Sequence, residues 1–154
     1  MSSDSASTQN SFSSTSGVPQ PPASSKVITL VTATNFTVTP LHSGYILQLP
    51  SVGATISLPA ASVAKGCTFT FILIANQATT AYGIASTTSN VWGRGVQGAT
   101  ASTPYPLATG ATSLVLGTGC LKGDQAVFTC DGTNYYVTAF SGYNTASTNG
   151  LAFS

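Results

Sequence analysis

KGCTFTFILIA, residues 65–75, alternates too regularly to be anything but a strand. Cys67, Phe69, Phe71 and Leu73 fall on one side and Thr68, Thr70, Ile72 and Ile74 on the other, the period of two that a pleated backbone imposes. Its first half reads as half-buried. Its second half is apolar on both sides and needs two covers, a second sheet on one and a loop or another subunit on the other. Ile72 and Ile74 are therefore candidate interface residues.

The segments around it read the same way. KVITLV from Lys26 is a β-branched run, and NFTVTP sets Phe36 and Val38 two apart before Pro40 stops the strand. In GYILQL, Tyr45, Leu47 and Leu49 share a face; in ATISLP, Ile56 and Leu58 share one until Pro59 interrupts the ladder. TSLVLG, KGDQAVFTC and NYYVTAF complete the clear strands. No segment carries a helical apolar stripe of useful length, and PAASVAKG, 59–66, suits at most a single turn joining two strands. The fold class expected is all-β: an antiparallel β-sandwich, jelly-roll-like, occupying residues 26–154 as one domain. Residues 1–25, rich in Ser and Thr and closing in GVPQPPASS, read as a flexible arm.

Asp131-Gly132, in CDGTNYYV, is a favourable turn dipeptide. Taken as the centre of a two-residue hairpin, it pairs Cys130 with Thr133, Phe128 with Tyr135 and Ala126 with Val137. One face is then Ala126, Phe128, Tyr135 and Val137, a core surface. The other is mixed, with Tyr136 a candidate for an interface. An internal echo accompanies this: ATISLPAASVAKGCTFTF (54–71) lies on ATSLVLGTGCLKGDQAVF (111–128) without a gap, sharing Ala-Thr, Lys-Gly and the final Phe. A strand, a turn closed by Lys-Gly and a returning strand explain the match. Residues 76–112 have weak periodicity and exceed normal loop length, so strands near Tyr82–Ala85 and Asn90–Trp92 are expected there, with NVWGRG as the most distinctive surface loop.

Ionisable chemistry is scarce. Charged residues are 5 % of the chain, with net charge +1 and no Glu, against about 25 % in average domains. Such a balance does not recruit nucleic acid or an anionic membrane, and it gives little colloidal repulsion, which suits a subunit of an assembly. Cys67, Cys120 and Cys130 with one histidine, His42, do not make a zinc set, and free buried thiols are expected, with a Cys120–Cys130 bridge as the alternative. A glycosidase needs two carboxylates about 5–10 Å apart, whereas Asp124 and Asp131 stand at opposite ends of one strand, roughly 23 Å apart by strand rise. No catalytic residue, metal or cofactor is expected. The better candidates are aromatic: Tyr82, Trp92 and Tyr105 with Arg94 for ligand contact, and Tyr136 and Tyr143 for subunit contact. Residues 1–17 have neither apolar run nor basic head, so no signal peptide is expected.

The low-charge Ser/Thr/Gly-rich composition, the TISLP strand, KGCTFTFILIA and the terminal DGTNYYVTAF hairpin together resemble the small β domains of virus and phage particle components: fibre heads, spikes and capsid decoration proteins. The resemblance covers about residues 44–140. It implies a homo-oligomer, trimer first and pentamer second, at the virion surface, assembled in the host cell and tethered to other capsid or spike proteins by the N-terminal arm. It implies a structural role, with receptor or host-glycan binding through exposed aromatic loops as the alternative.

Overall fold

The computed structural model describes residues 27–29, 35–77, 80–87, 90–97, 105–106, 110–142 and 150–154. The expected arm, residues 1–25, lies outside them. The strands are β1 (Val27–Thr29), β2 (Phe36–Thr37), β3 (Ile46–Leu49), β4 (Ala54–Leu58), β5 (Thr68–Leu73), β6 (Tyr82–Ser86), β7 (Val91–Gln97), β8 (Tyr105–Pro106), β9 (Ser113–Leu116), β10 (Gln125–Cys130), β11 (Tyr135–Ser141) and β12 (Leu151–Phe153). They form a seven-stranded sheet ordered β1-β3-β5-β10-β11-β7-β8 and a five-stranded sheet ordered β12-β9-β6-β4-β2. Inward side chains of both sheets make one core, including Leu47, Leu49, Phe69, Phe71 and Phe128 from one and Ile56, Leu58, Ile84, Leu114 and Leu116 from the other.

The sheets are mixed, which corrects the expectation of a wholly antiparallel sandwich. From β1 to β7 the chain alternates between sheets, so strands two apart in sequence become neighbours: β1 with β3, β3 with β5, β2 with β4 and β4 with β6, all parallel. Pro50 and Pro59, standing directly after β3 and β4, lack the N–H that another ladder position needs, and the chain crosses over instead. β10 then pairs antiparallel with both β5 and β11, and β11 runs parallel to β7.

The Lys-Gly echo has a geometric cause. Gly66 has φ +78° and Gly123 has φ +97°, the left-handed region that favours glycine. The Gly66 N–H donates to the Cys130 carbonyl at 2.8 Å, and the Cys130 N–H donates to the Cys67 carbonyl at 3.0 Å. The Gly123 N–H likewise donates to Leu73 at 2.8 Å and the Leu73 N–H to Asp124 at 2.8 Å. Each Lys-Gly turn thus ends in a glycine bulge that starts a strand with its inward face fixed. Between the bulges Thr70 faces Val127, while Phe69 meets Phe128 and Phe71 meets Ala126, so the two halves are related by a local two-fold through the β5–β10 pair. The ungapped alignment holds there. It is one residue out of step over β4 and β9, where buried Ile56 and Leu58 correspond to buried Leu114 and Leu116.

Two sequence expectations change. The β10–β11 hairpin pairs Cys130 with Tyr135, Phe128 with Val137 and Ala126 with Ala139, so its loop has four residues, Asp131 to Asn134, rather than two. The slip is by two positions and leaves the faces intact; a slip by one would have inverted them. NVWGRG is not a loop either: Trp92 to Gly95 lie within β7. Gly93, at φ +151°, approaches β11 so closely that a Cβ would run into the Val137 carbonyl. The expected strands near Tyr82–Ala85 and Asn90–Trp92 are β6 and the start of β7, and PAASVAKG holds a 3-10 turn, Ala61–Val63.

Candidate functional site

The outer face of the seven-stranded sheet gathers most of the candidate residues. Cross-strand register places them in three rows. One runs Thr68, Thr129, Tyr136, Trp92. The next runs Val27, Ile46, Thr70, Val127, Thr138, Arg94. The last runs Thr29, Gln48, Ile72, Gln125, Phe140, Val96. Threonine, aliphatic and aromatic side chains dominate, and Arg94 is the one charge in these rows. Tyr136 and Phe140 are each 48 % exposed and Val96 47 %, high for large apolar side chains. Trp92 is half-buried, its indole N–H enclosed without an acceptor.

Of the ligand candidates, Trp92 and Arg94 share this face, with Arg94 exposed. Tyr82 does not: it is fully buried on the inner side of β6, and burial pushes its phenol pKa up. The alternation of Tyr82 with Ile84 is the sequence signal for that. Tyr105 pairs with Gly95 in β8, with its side chain outside the described residues, as all of Tyr143 is. Of the interface candidates, Tyr136 and Ile72 lie on the face, and half-buried Ile74 follows β5. Phe140, Val96 and Val27 were missed. Phe140 follows Tyr136 by four residues in a strand, so period two alone places the pair on one side.

Asp131, His42 and Asp124 are each bonded within a turn. The Asp131 carboxylate accepts the Thr133 and Asn134 N–H groups, both at 2.7 Å through Oδ1, and the Tyr136 hydroxyl at 3.0 Å through Oδ2. These bonds explain the four-residue loop, which Gly132 passes through at φ +101°. They also hold the Asp131 carboxyl below its ordinary pKa, the Asn134 and Thr133 amides first, while the acceptor and its charge raise the Tyr136 phenol. His42 Nδ1 accepts the Thr39 N–H at 2.9 Å, closing the turn Pro40–His42, and its ring packs 5.5 Å from Phe36 and 6.1 Å from Tyr45. Asp124, at the far end of β10, is buried and bonded to its own chain.

All three cysteines are free thiols. Cys120 is buried beside the Ser141 hydroxyl, and desolvation pushes its pKa up to about 11; burial also raises Cys130, whose backbone N–H donates to the Cys67 carbonyl and which is not bridged to Cys120. The Cys120 and Cys130 thiols therefore stay protonated at neutral pH and are poor nucleophiles. Among the described residues no group of three or more His, Cys, Asp or Glu is placed to hold a metal ion.

Because the folded Asp131 pKa is depressed, its contribution to the hairpin is full above the ordinary carboxylate pKa of about 4 and is lost as pH falls through the folded value. Thermal melts of wild type and Asp131→Asn are expected to separate at pH 7 with wild type higher, and to separate less at pH 2, modestly because the loop is in water. Equal separation at both pH values would show that the charge plays no part. No protein-family model, curated protein or solved structure matches this chain.

Proposed function

We propose that this chain is a structural subunit of a virus particle, a minor capsid, spike or decoration component that assembles with copies of itself through its β domain. The observation that supports this reading best is the outer face of the seven-stranded sheet: three rows of uncharged side chains, broken by one arginine, with large apolar groups in water. A chain with net charge +1 has little electrostatic means of keeping such faces apart. The use of Asp124, Asp131 and His42 in turns fits a scaffold, and the sequence resemblance supplies the particle context. In this reading the jelly-roll-like sandwich of a particle surface is realised with mixed sheets, and the N-terminal arm contacts other capsid or spike proteins.

Mass measurement of the full chain in solution tests it. A closed homo-oligomer is expected, a trimer first and a pentamer second, persisting on dilution to micromolar concentration. A monomer throughout overturns the assembly reading. The alternative, a receptor- or glycan-binding head, draws on one specific arrangement, the lateral pair Trp92 and Tyr136 with Arg94 and Asp131 nearby in the same corner of the sheet. A glycan-array signal lost in Trp92→Ala would favour it.

A further inference from the structure

We infer that Cys67 and Cys130 are a redox couple: a low-molecular-weight disulfide oxidises them to a bridge that staples the start of β5 to the end of β10. The chemistry needs a single copy of the chain, so it stands apart from the assembly reading above.

The glycine bulge at Gly66 brings the two residues together. The Cys130 carbonyl accepts the Gly66 N–H at 2.8 Å and the Cys130 N–H donates to the Cys67 carbonyl at 3.0 Å, which sets Cys67 opposite Cys130, one step beyond the Thr68 and Thr129 pair. Partners bonded in this way have Cα atoms about 5.5 Å apart, inside the range of roughly 4.4–6.8 Å that a disulfide spans. Both belong to the inner face. Cys67 continues the set of Phe69 and Phe71 and packs against the core, while Cys130 continues that of Ala126 and Phe128 and is buried. The Tyr135 phenol feels both thiols, its pKa raised by burial first and then by Cys130 and Cys67.

The third thiol has no part in this. Cys120 is fully buried beside Ser141, which bonds Asp124 at the other end of β10, and strand rise puts Cys130 roughly 20 Å from that end. Access then orders the steps. Cys67 is partly exposed, whereas Cys130 is enclosed, its Sγ donating to the Ala61 carbonyl and accepting the Gly132 N–H, both at 3.4 Å. Cys67 releases its proton to solvent and its sulfur attacks the small disulfide RSSR, forming a mixed disulfide and expelling RS⁻, which takes up a proton. Cys130 then loses its proton and attacks the Cys67 sulfur; the bond to SR breaks, the bridge closes, and the second RS⁻ is protonated. Two cysteine thiols thus give two electrons and two protons, and one RSSR becomes two RSH. Burial leaves little Cys130 thiolate, but a thiol held opposite its target acts at high effective concentration.

The bridge supplies a tie that this end of the strand pair lacks. At the bulge related by the local two-fold, Asp124 follows Gly123 as Cys67 follows Gly66, and the Asp124 carboxylate binds the end of β11 through Ser141 and Gly142. Partial exposure of Cys67 leaves the bridge open to reducing thiols, so the staple is reversible.

The full chain is incubated with excess oxidised glutathione, its remaining thiols are alkylated in denaturant, and the protein is weighed and peptide-mapped without reduction. Wild type and Cys120→Ser are each expected to lose two alkylatable thiols and to give a linked peptide joining Cys67 to Cys130. The thermal midpoint should rise by about 5 °C or more and return on addition of dithiothreitol. Cys130→Ser is expected to stop at a mixed disulfide on Cys67, and Cys67→Ser to keep both remaining thiols. Three alkylatable thiols in oxidised wild type, a link that includes Cys120 or joins two copies, or modification of Cys130 in Cys67→Ser overturns the couple. If Cys130→Ser does not fold, the wild-type peptide map alone decides.

Discussion

Phe128→Ala is expected to cost about 3–5 kcal/mol of folding stability. Phe128 is fully buried at the middle of β10, where the local two-fold sets it against Phe69 across the strand pair. Its ring meets Phe71 edge-on at 5.8 Å and Tyr135 at 6.5 Å, so truncation removes two aromatic contacts as well as the buried area. The hole cannot close easily. Tyr135 is pinned by its hydroxyl, which donates to the Pro59 carbonyl at 2.6 Å, and the β5–β10 register is pinned by a glycine bulge at each end. Urea denaturation at matched protein concentration should show the midpoint falling with the slope unchanged, and the thermal midpoint should drop by about 10–15 °C. A change no larger than that of Val127→Ala, one residue away on the outer face, would mean that this ring does not sit at the centre of the core.

That result also bears on how much of the fold can be read from the chain. Inward and outward faces were legible wherever period two is uninterrupted: Phe69, Phe71 and Leu73 in β5, Leu47 and Leu49 in β3, Ile56 and Leu58 in β4 are all buried as their spacing requires. Partner choice was not. Whether Leu47 sits beside Phe71 in a parallel pair or in a hairpin depends on which sheet the intervening strand enters, and alternation within a strand is silent about that. The hairpin loop was misjudged for a related reason. Asp-Gly suits a two-residue turn, but the Asp131 carboxylate prefers two amides further on, and the two-residue slip that follows costs nothing in facing. In NVWGRG, glycines at alternate positions hid a strand whose backbone must approach β11 closely. The candidate site was legible in part: Tyr136, Trp92, Arg94 and Ile72 come together only through the β5-β10-β11-β7 order, which no local pattern specifies.

Asp124→Ala is expected to be the most damaging substitution among the charged residues, at about 3 kcal/mol, from unsatisfied donors rather than lost charge. Its side chain is 95 % buried by the fold, since Asp124 is only 5 % exposed. Oδ2 accepts the Leu121 N–H at 2.8 Å and the Ser141 hydroxyl at 2.5 Å, and Oδ1 accepts the Gly142 N–H at 2.7 Å. One carboxylate therefore closes the Lys122-Gly123 turn and ties the end of β11 to the start of β10. The bulge related to it by the local two-fold has Cys67 at the same place and no such tie, so the two turns are alike in backbone and different in what they anchor. Asp124→Asn should retain part of the stability because its amide oxygen still accepts, whereas its NH2 faces donors on the other side. If the carboxylate served a ligand or a reaction instead, both variants would fold normally and lose only that activity. Chemical denaturation of the pair separates the cases: a large drop for Ala with an intermediate one for Asn marks a structural anchor, and unchanged midpoints would return Asp124 to the candidates for function.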